Sequence, residues 1–145
     1  MRDPNSIYVP PSGPPQGPLP SSEIYAAMGK ENIFALCRDF YSELEQSSIK
    51  NLFGGDMPQA SEKLAMFLVS ASGGPPLYQQ SFGPPRMRAR HLPFTIGAKE
   101  RQVWLDCFYR VLEDAPERYN FPRAHLDNFK QYLSGFSAWM INSKE

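Results

Sequence analysis

The residues best able to do chemistry in this chain lie in one stretch, from Gly83 to Phe94. It carries Arg86, Arg88 and Arg90 and then His91, one of only two histidines, and closes on Pro93 and Phe94. A neutral imidazole ligates a metal, and flanking guanidinium groups neutralise an anion beside it. On local content alone the same residues also read as a basic loop with a solvated histidine. Two further side chains carry a polar tip on an apolar body. Tyr41 reads either as a core tyrosine or as a hydroxyl aimed into a pocket. Trp104 reads either as a large core anchor or as an indole N–H donor.

The elements that must position these groups are helical. Ser21-Ser22-Glu23 caps a short helix from Ile24 to Met28, which Gly29 stops. From about Glu31 to Gln46, Ile33, Leu36, Cys37, Phe40, Tyr41 and Leu44 recur at three- and four-residue steps, forming an apolar stripe. Ser47 to Gly55 is a connector holding Leu52 and Phe53. Asp56 caps the next helix with Pro58 in its first turn, and Ala60, Leu64, Phe67, Leu68 and Ala71 repeat at helical spacing. Gly73-Gly74-Pro75-Pro76 ends it. The segment from Gly73 to Pro93 shows little helical periodicity and reads as a long functional loop, with Leu77 and Phe82 to pin it to the core. Gly97 to Asp114 is a long helix whose stripe is Trp104, Cys107, Phe108, Val111 and Leu112. Pro116 breaks the chain, and a last helix runs from Pro122 to about Asn142, lined by Leu126, Phe129, Leu133, Phe136 and Met140. His125, in its first turn, sits on no distinctive motif.

Composition bounds the alternatives. The 145 residues suit one domain able to bury a core, 41% of them hydrophobic and 13% aromatic. Fifteen basic and fifteen acidic residues give a net charge of +0, which provides no field to recruit nucleic acid or an anionic membrane. No apolar run of membrane-spanning length is present, and the N-terminus lacks a signal-type apolar stretch, so a cytoplasmic location is expected. Cys37 and Cys107 lack metal-site spacing and read as free, buried thiols. Residues 1–22 hold seven of the fifteen prolines and form a Pro-rich arm outside the fold, disordered or extended, ahead of a domain over 23–145.

An ordered series of motifs resembles the truncated, 2-on-2 haemoglobins, and within them group II. It comprises Phe40-Tyr41, Lys63 to Leu68, Gly73-Gly74-Pro75, Tyr78, Gly83, Pro85-Arg86, Arg88 to Phe94, Ile96, Glu100-Arg101 and Trp104-Leu105. The resemblance covers about residues 24–142, with one departure: Ser72 stands where an aromatic is usual. It implies an all-α fold, two antiparallel helix pairs crossing around haem b. It implies that the short proximal helix lies within the loop and that His91 ligates the iron. Lys63, Tyr78 and Arg90 are the family's positions for the propionates, and Phe53, Leu64, Phe67, Phe94 and Ile96 surround the macrocycle. Tyr41, Trp104 and Ala60 fall on the distal side, Ala60 at the gate. The function implied is reversible binding of diatomic ligands such as O2, CO and NO. The alternatives are a haem redox enzyme, peroxidase-like or detoxifying NO and reactive oxygen, and a haem-free helical module. A reductase is the implied protein partner, and a monomer or homodimer the implied assembly.

Overall fold

The computed structural model describes residues 7–53 and 55–144. The first six residues of the arm, Gly54 of the connector and Glu145 lie outside the described residues. The described chain is all-helical, as expected from its periodicity.

Helix α1 runs Ser22–Glu45, with the Ser21 hydroxyl accepting from the Glu23 N–H at 3.2 Å. It is broken where the sequence requires: Gly29 sits at φ 76°, ψ 170°, a conformation costly for any residue with a Cβ. A 3-10 turn over Lys50–Phe53 leads to α2, Met57–Ala71, capped by Asp56 accepting from the Gln59 N–H at 2.9 Å. Gly73 and Gly74 let the start of α1 lie against the end of α2. A Cβ on Gly73, whose φ is 96°, would come 2.8 Å from the Ser22 Cα, and one on Gly74 would come 2.7 Å from Val69 Cγ1. Ser72, in the position where an aromatic is usual, is buried. Its backbone carbonyl accepts from the Tyr25 N–H at 3.3 Å, and its Oγ has no hydrogen-bond partner among the described residues.

The segment expected to be a loop contains two short helices, α3 (Leu77–Phe82) and α4 (Met87–His91). Both are too short for periodicity to reveal them, but α4 is the short proximal helix that the resemblance places within the loop. Leu77 packs on the core, but Phe82 does not pin the loop as expected. It is exposed and lies against the Tyr78 ring at 5.0 Å. Helix α5 spans Ala98–Leu112, and the Glu100 carboxylate accepts from the Gly97 N–H at 2.7 Å. Pro116 opens a helix rather than breaking the chain. It sits in the first turn of α6, Ala115–Tyr119, where a missing N–H costs nothing. The last helix, α7, spans Leu126–Trp139 after a 3-10 turn at Arg123–His125, and so ends earlier than the stripe suggested.

Helix α1 packs chiefly on α2, and α5 packs on both α7 and α1, which joins the two pairs. Phe40, Phe108, Phe129, Leu36, Leu44, Leu112 and Leu133 are fully buried between them. The thiols of Cys37 and Cys107 are free and buried, as expected. The described part of the arm turns at Gly13, whose N–H donates to the Pro10 carbonyl at 3.0 Å, and it packs on the fold rather than lying outside it. Tyr8 N–H donates to the Asn142 carbonyl at 3.1 Å, and Asn128 on α7 donates to the Leu19 carbonyl at 3.0 Å. Pro10 and Pro20 are buried, and Pro15 faces Gly135, where a Cβ would meet it at 3.4 Å. Prolines bury well against a surface because their ordering cost is small, which composition alone does not reveal.

Candidate functional site

Between α1, α2, α5, α7 and the α3–α4 segment lies a cavity of about 740 Å³. Its wall includes every residue that the resemblance assigns to haem or its ligand, namely Tyr41, Phe53, Ala60, Lys63, Leu64, Phe67, Tyr78, Arg90, His91, Phe94, Ile96 and Trp104, but neither Arg86 nor Arg88. The large apolar side chains Phe53, Leu64, Phe67 and Phe136 are half-buried, and all four border this space.

His91 ends α4. Its Nδ1 lies 2.6 Å from the Met87 carbonyl one turn earlier. A carbonyl only accepts, so Nδ1 carries the proton and Nε2 presents its lone pair. Nε2 makes no hydrogen bond to a described residue. Burial lowers the His91 pKa from 6.5, outweighing the opposing bond to Met87, so the ring is neutral at pH 7.

Across the cavity, Phe40 positions the two polar-tipped aromatics. Its fully buried ring meets both Tyr41 and Trp104 edge-on at 5.4 Å. Tyr41 also packs edge-on against Phe53 at 5.5 Å. Neither the Tyr41 hydroxyl nor the Trp104 indole N–H has a hydrogen-bond partner among the described residues. Burial, followed by the nearby Cys37, pushes the Tyr41 hydroxyl well above its usual pKa, so it remains a donor.

Two cations stand at the rim. Lys63 Nζ lies over the Phe82 ring at 5.3 Å. Arg90 stacks over buried Tyr78 at 5.3 Å while its Nε donates to the Pro85 carbonyl at 2.6 Å. Its Nη2 donates to the carbonyls of Phe82 at 2.8 Å and Pro84 at 3.0 Å. Arg90 therefore shapes the turn between α3 and α4 and retains Nη1 for an anion.

A family model for bacterial-like globins matches residues 23–135. The chain is a bacterial-like globin. It is similar to the group 2 truncated hemoglobin YjbI of Bacillus subtilis (strain 168), 38% identical over 90 residues that span 61% of this chain and 68% of the relative. Among solved structures, phosphate-bound Hell's gate globin IV matches with a TM-score of 0.83 at 35% identity, covering 90% of this chain and 81% of that one. The truncated oxygen-avid haemoglobin from Bacillus subtilis matches with a TM-score of 0.72 at 31% identity, covering 81% and 98%. Within the globins it falls in group II of the truncated, 2-on-2 haemoglobins, and it is accordingly a haem-binding, oxygen-related protein.

The globin's cavity fits that group. It combines an apolar slot, one neutral imidazole with a free lone pair, two unpartnered donors and rim cations suited to carboxylates. Several wall residues were not singled out as site residues. Phe136 and Met140 were assigned to the core stripe of the last helix, yet they border the cavity, with Phe136 5.6 Å from Phe67 and 6.3 Å from Trp104. Met87 contributes through its carbonyl, which accepts from the His91 ring one helical turn later; that four-residue spacing was the available signal. Arg88 does not face the slot. It donates to the carbonyls of Trp139, of Ile141 at 2.8 Å and of Tyr8 at 2.8 Å, and stacks over Trp139 at 4.5 Å. His125 pairs with Glu23 at 2.5 Å, away from the cavity. No described helix is long and apolar enough to cross a membrane.

Proposed function

We propose that this chain holds haem b through His91 Nε2 and retains oxygen through donors from Tyr41 and Trp104. When bound, haem would supply an iron able to take a diatomic gas. The observation that carries the reading is the bond from His91 Nδ1 to Met87, which fixes the tautomer and leaves Nε2 free toward the slot. That bond also raises the basicity of the imidazole and holds its plane, as partners of metal-ligating histidines commonly do.

The other roles follow from chemistry. Phe53, Leu64, Phe67, Phe94 and Ile96 surround the flat apolar faces, and burial of that surface drives uptake at about 25 cal/mol per Å². Lys63 and Arg90 neutralise the propionates at the rim, with the Tyr78 hydroxyl as a neutral partner. Tyr41 O–H and Trp104 N–H donate to a guest carrying partial negative charge, which favours oxygen over carbon monoxide. Ala60 leaves the way past α2 open. A dedicated peroxidase would place a base on the distal side. His91 is the one imidazole among the described wall residues, and this reading assigns it to the iron.

The test is spectroscopic. Purified protein reconstituted with hemin should show a strong Soret band. His91→Ala should lose haem on a desalting column. A His91→Ala protein that keeps haem with an unchanged spectrum would refute the assignment.

A further inference from the structure

The helix that carries His91 is five residues long. A helix of one turn does not hold itself together, because nucleation fixes several residues for very few hydrogen bonds. Contacts with the rest of the chain must therefore hold α4 in place. Two side chains make them, Arg88 within the helix and Asn142 beyond α7.

Arg88 lies three residues before His91, on the same turn. Its fork reaches the carbonyls of Trp139 and Ile141 at the end of α7 and the carbonyl of Tyr8 in the arm. A guanidinium suits this place, since the C-terminal carbonyls of a helix are unpaired and carry partial negative charge. Asn142 lies beyond α7 and is fully buried. Its Nδ2 donates to the carbonyls of His91 itself at 3.3 Å and of Phe94 at 3.0 Å. Its Oδ1 accepts from the Ile96 N–H at 2.9 Å. The two anchors are joined, because the Tyr8 N–H donates to the Asn142 carbonyl at 3.1 Å.

We propose that Arg88 and Asn142 are positioning residues for the His91 imidazole, and that docking of the N-terminal arm at Tyr8 is part of the same latch. The inference rests on His91 being the iron ligand. The latch acts through His91 on the direction and strength of its bond to the metal. It predicts that undocking the arm loosens the proximal ligand, although the arm lies on the outside of α7.

The experiment uses the full-length, haem-loaded protein and two readouts. One is the iron–histidine stretching band in the resonance Raman spectrum of the ferrous form. The other is the rate of haem loss to excess apomyoglobin. Arg88→Met and Asn142→Ala should each shift the band and speed haem loss on the order of tenfold to a hundredfold, the usual cost of removing a ligand's supporting partner. Deleting residues 1–8 should shift the band in the same direction by less. Leu112→Ala, a core truncation remote from the latch, should lower stability and leave the band in place. Should Arg88→Met fold poorly, Arg88→Lys keeps the charge but lacks the fork, and it too should shift the band. An unmoved band in the Arg88 and Asn142 variants would overturn the proposal, even with faster haem loss, because a purely structural role accounts for the loss alone. A His91→Ala protein retaining the wild-type band would instead overturn the ligand assignment on which the proposal rests.

Discussion

Tyr41→Phe is the sharpest test of the distal donors, because it removes one oxygen atom and little else. The Tyr41 ring is held by Phe40 at 5.4 Å and Phe53 at 5.5 Å, and both contacts survive in phenylalanine. The hydroxyl has no partner among the described residues, so its removal strands no protein group. The stability of the haem-free protein should therefore be unchanged or slightly higher. What is lost is a hydrogen bond to a polarised guest, worth on the order of 1–3 kcal/mol. With Trp104 still donating, the lower part of that range applies. About 1.4 kcal/mol corresponds to a tenfold change in rate. Oxygen dissociation, measured by stopped-flow displacement with carbon monoxide, should accelerate about tenfold, while carbon monoxide dissociation should change much less. An unchanged oxygen off-rate in a normally folded variant would mean that Tyr41 is core packing.

Trp104→Phe should act in the same direction in that assay. It also removes volume beside Phe136, and its effect need not add to that of Tyr41→Phe if the two donors share one guest. His125→Ala should keep haem, since its partner Glu23 lies away from the slot, and a bleached spectrum would contradict this. Gly73→Ala should cost roughly 1–3 kcal/mol in chemical denaturation, because φ is 96° and the new Cβ would press on the Ser22 backbone. At high pH, Tyr132 should weaken the fold. Burial pushes it up to about 12, so the folded protein holds this proton more tightly than the unfolded chain. The stability it contributes is present below an ordinary tyrosine pKa of about 10 and is lost as pH rises toward 12. Tyr132→Phe should flatten that alkaline slope, and an unchanged slope would argue against the burial.

The helical framework was legible because α1, α2, α5 and α7 are long enough for an apolar stripe to repeat several times. The wall of the cavity was legible through motif order, which assigns Tyr41, Lys63, His91 and Trp104 to one space. Helix α3 escaped detection because six residues cannot display a period, and the one-turn helix at His91 was legible only through the resemblance. Pro116 misled because a proline that ends one helix is compatible with the first turn of another. Arg88 and Asn142 were opaque for a different reason. Their partners are backbone carbonyls and N–H groups 46 to 80 residues away, and a main-chain group leaves no signature in residue type.

The shortness of α4 also bears on how the protein opens. Its amides should exchange with solvent through local excursions far less costly than global unfolding, while those of α1 and α5 should exchange only when the whole core opens. The histidine thus belongs to the part of the chain that melts first. With His91 as the proposed iron ligand, cofactor capture and the ordering of this segment would be one event, and haem affinity would contain a folding term. Deuterium uptake over residues 83–96 should fall on haem addition by much more than over α1, and each added donor to that segment should appear as tighter haem binding without touching the haem.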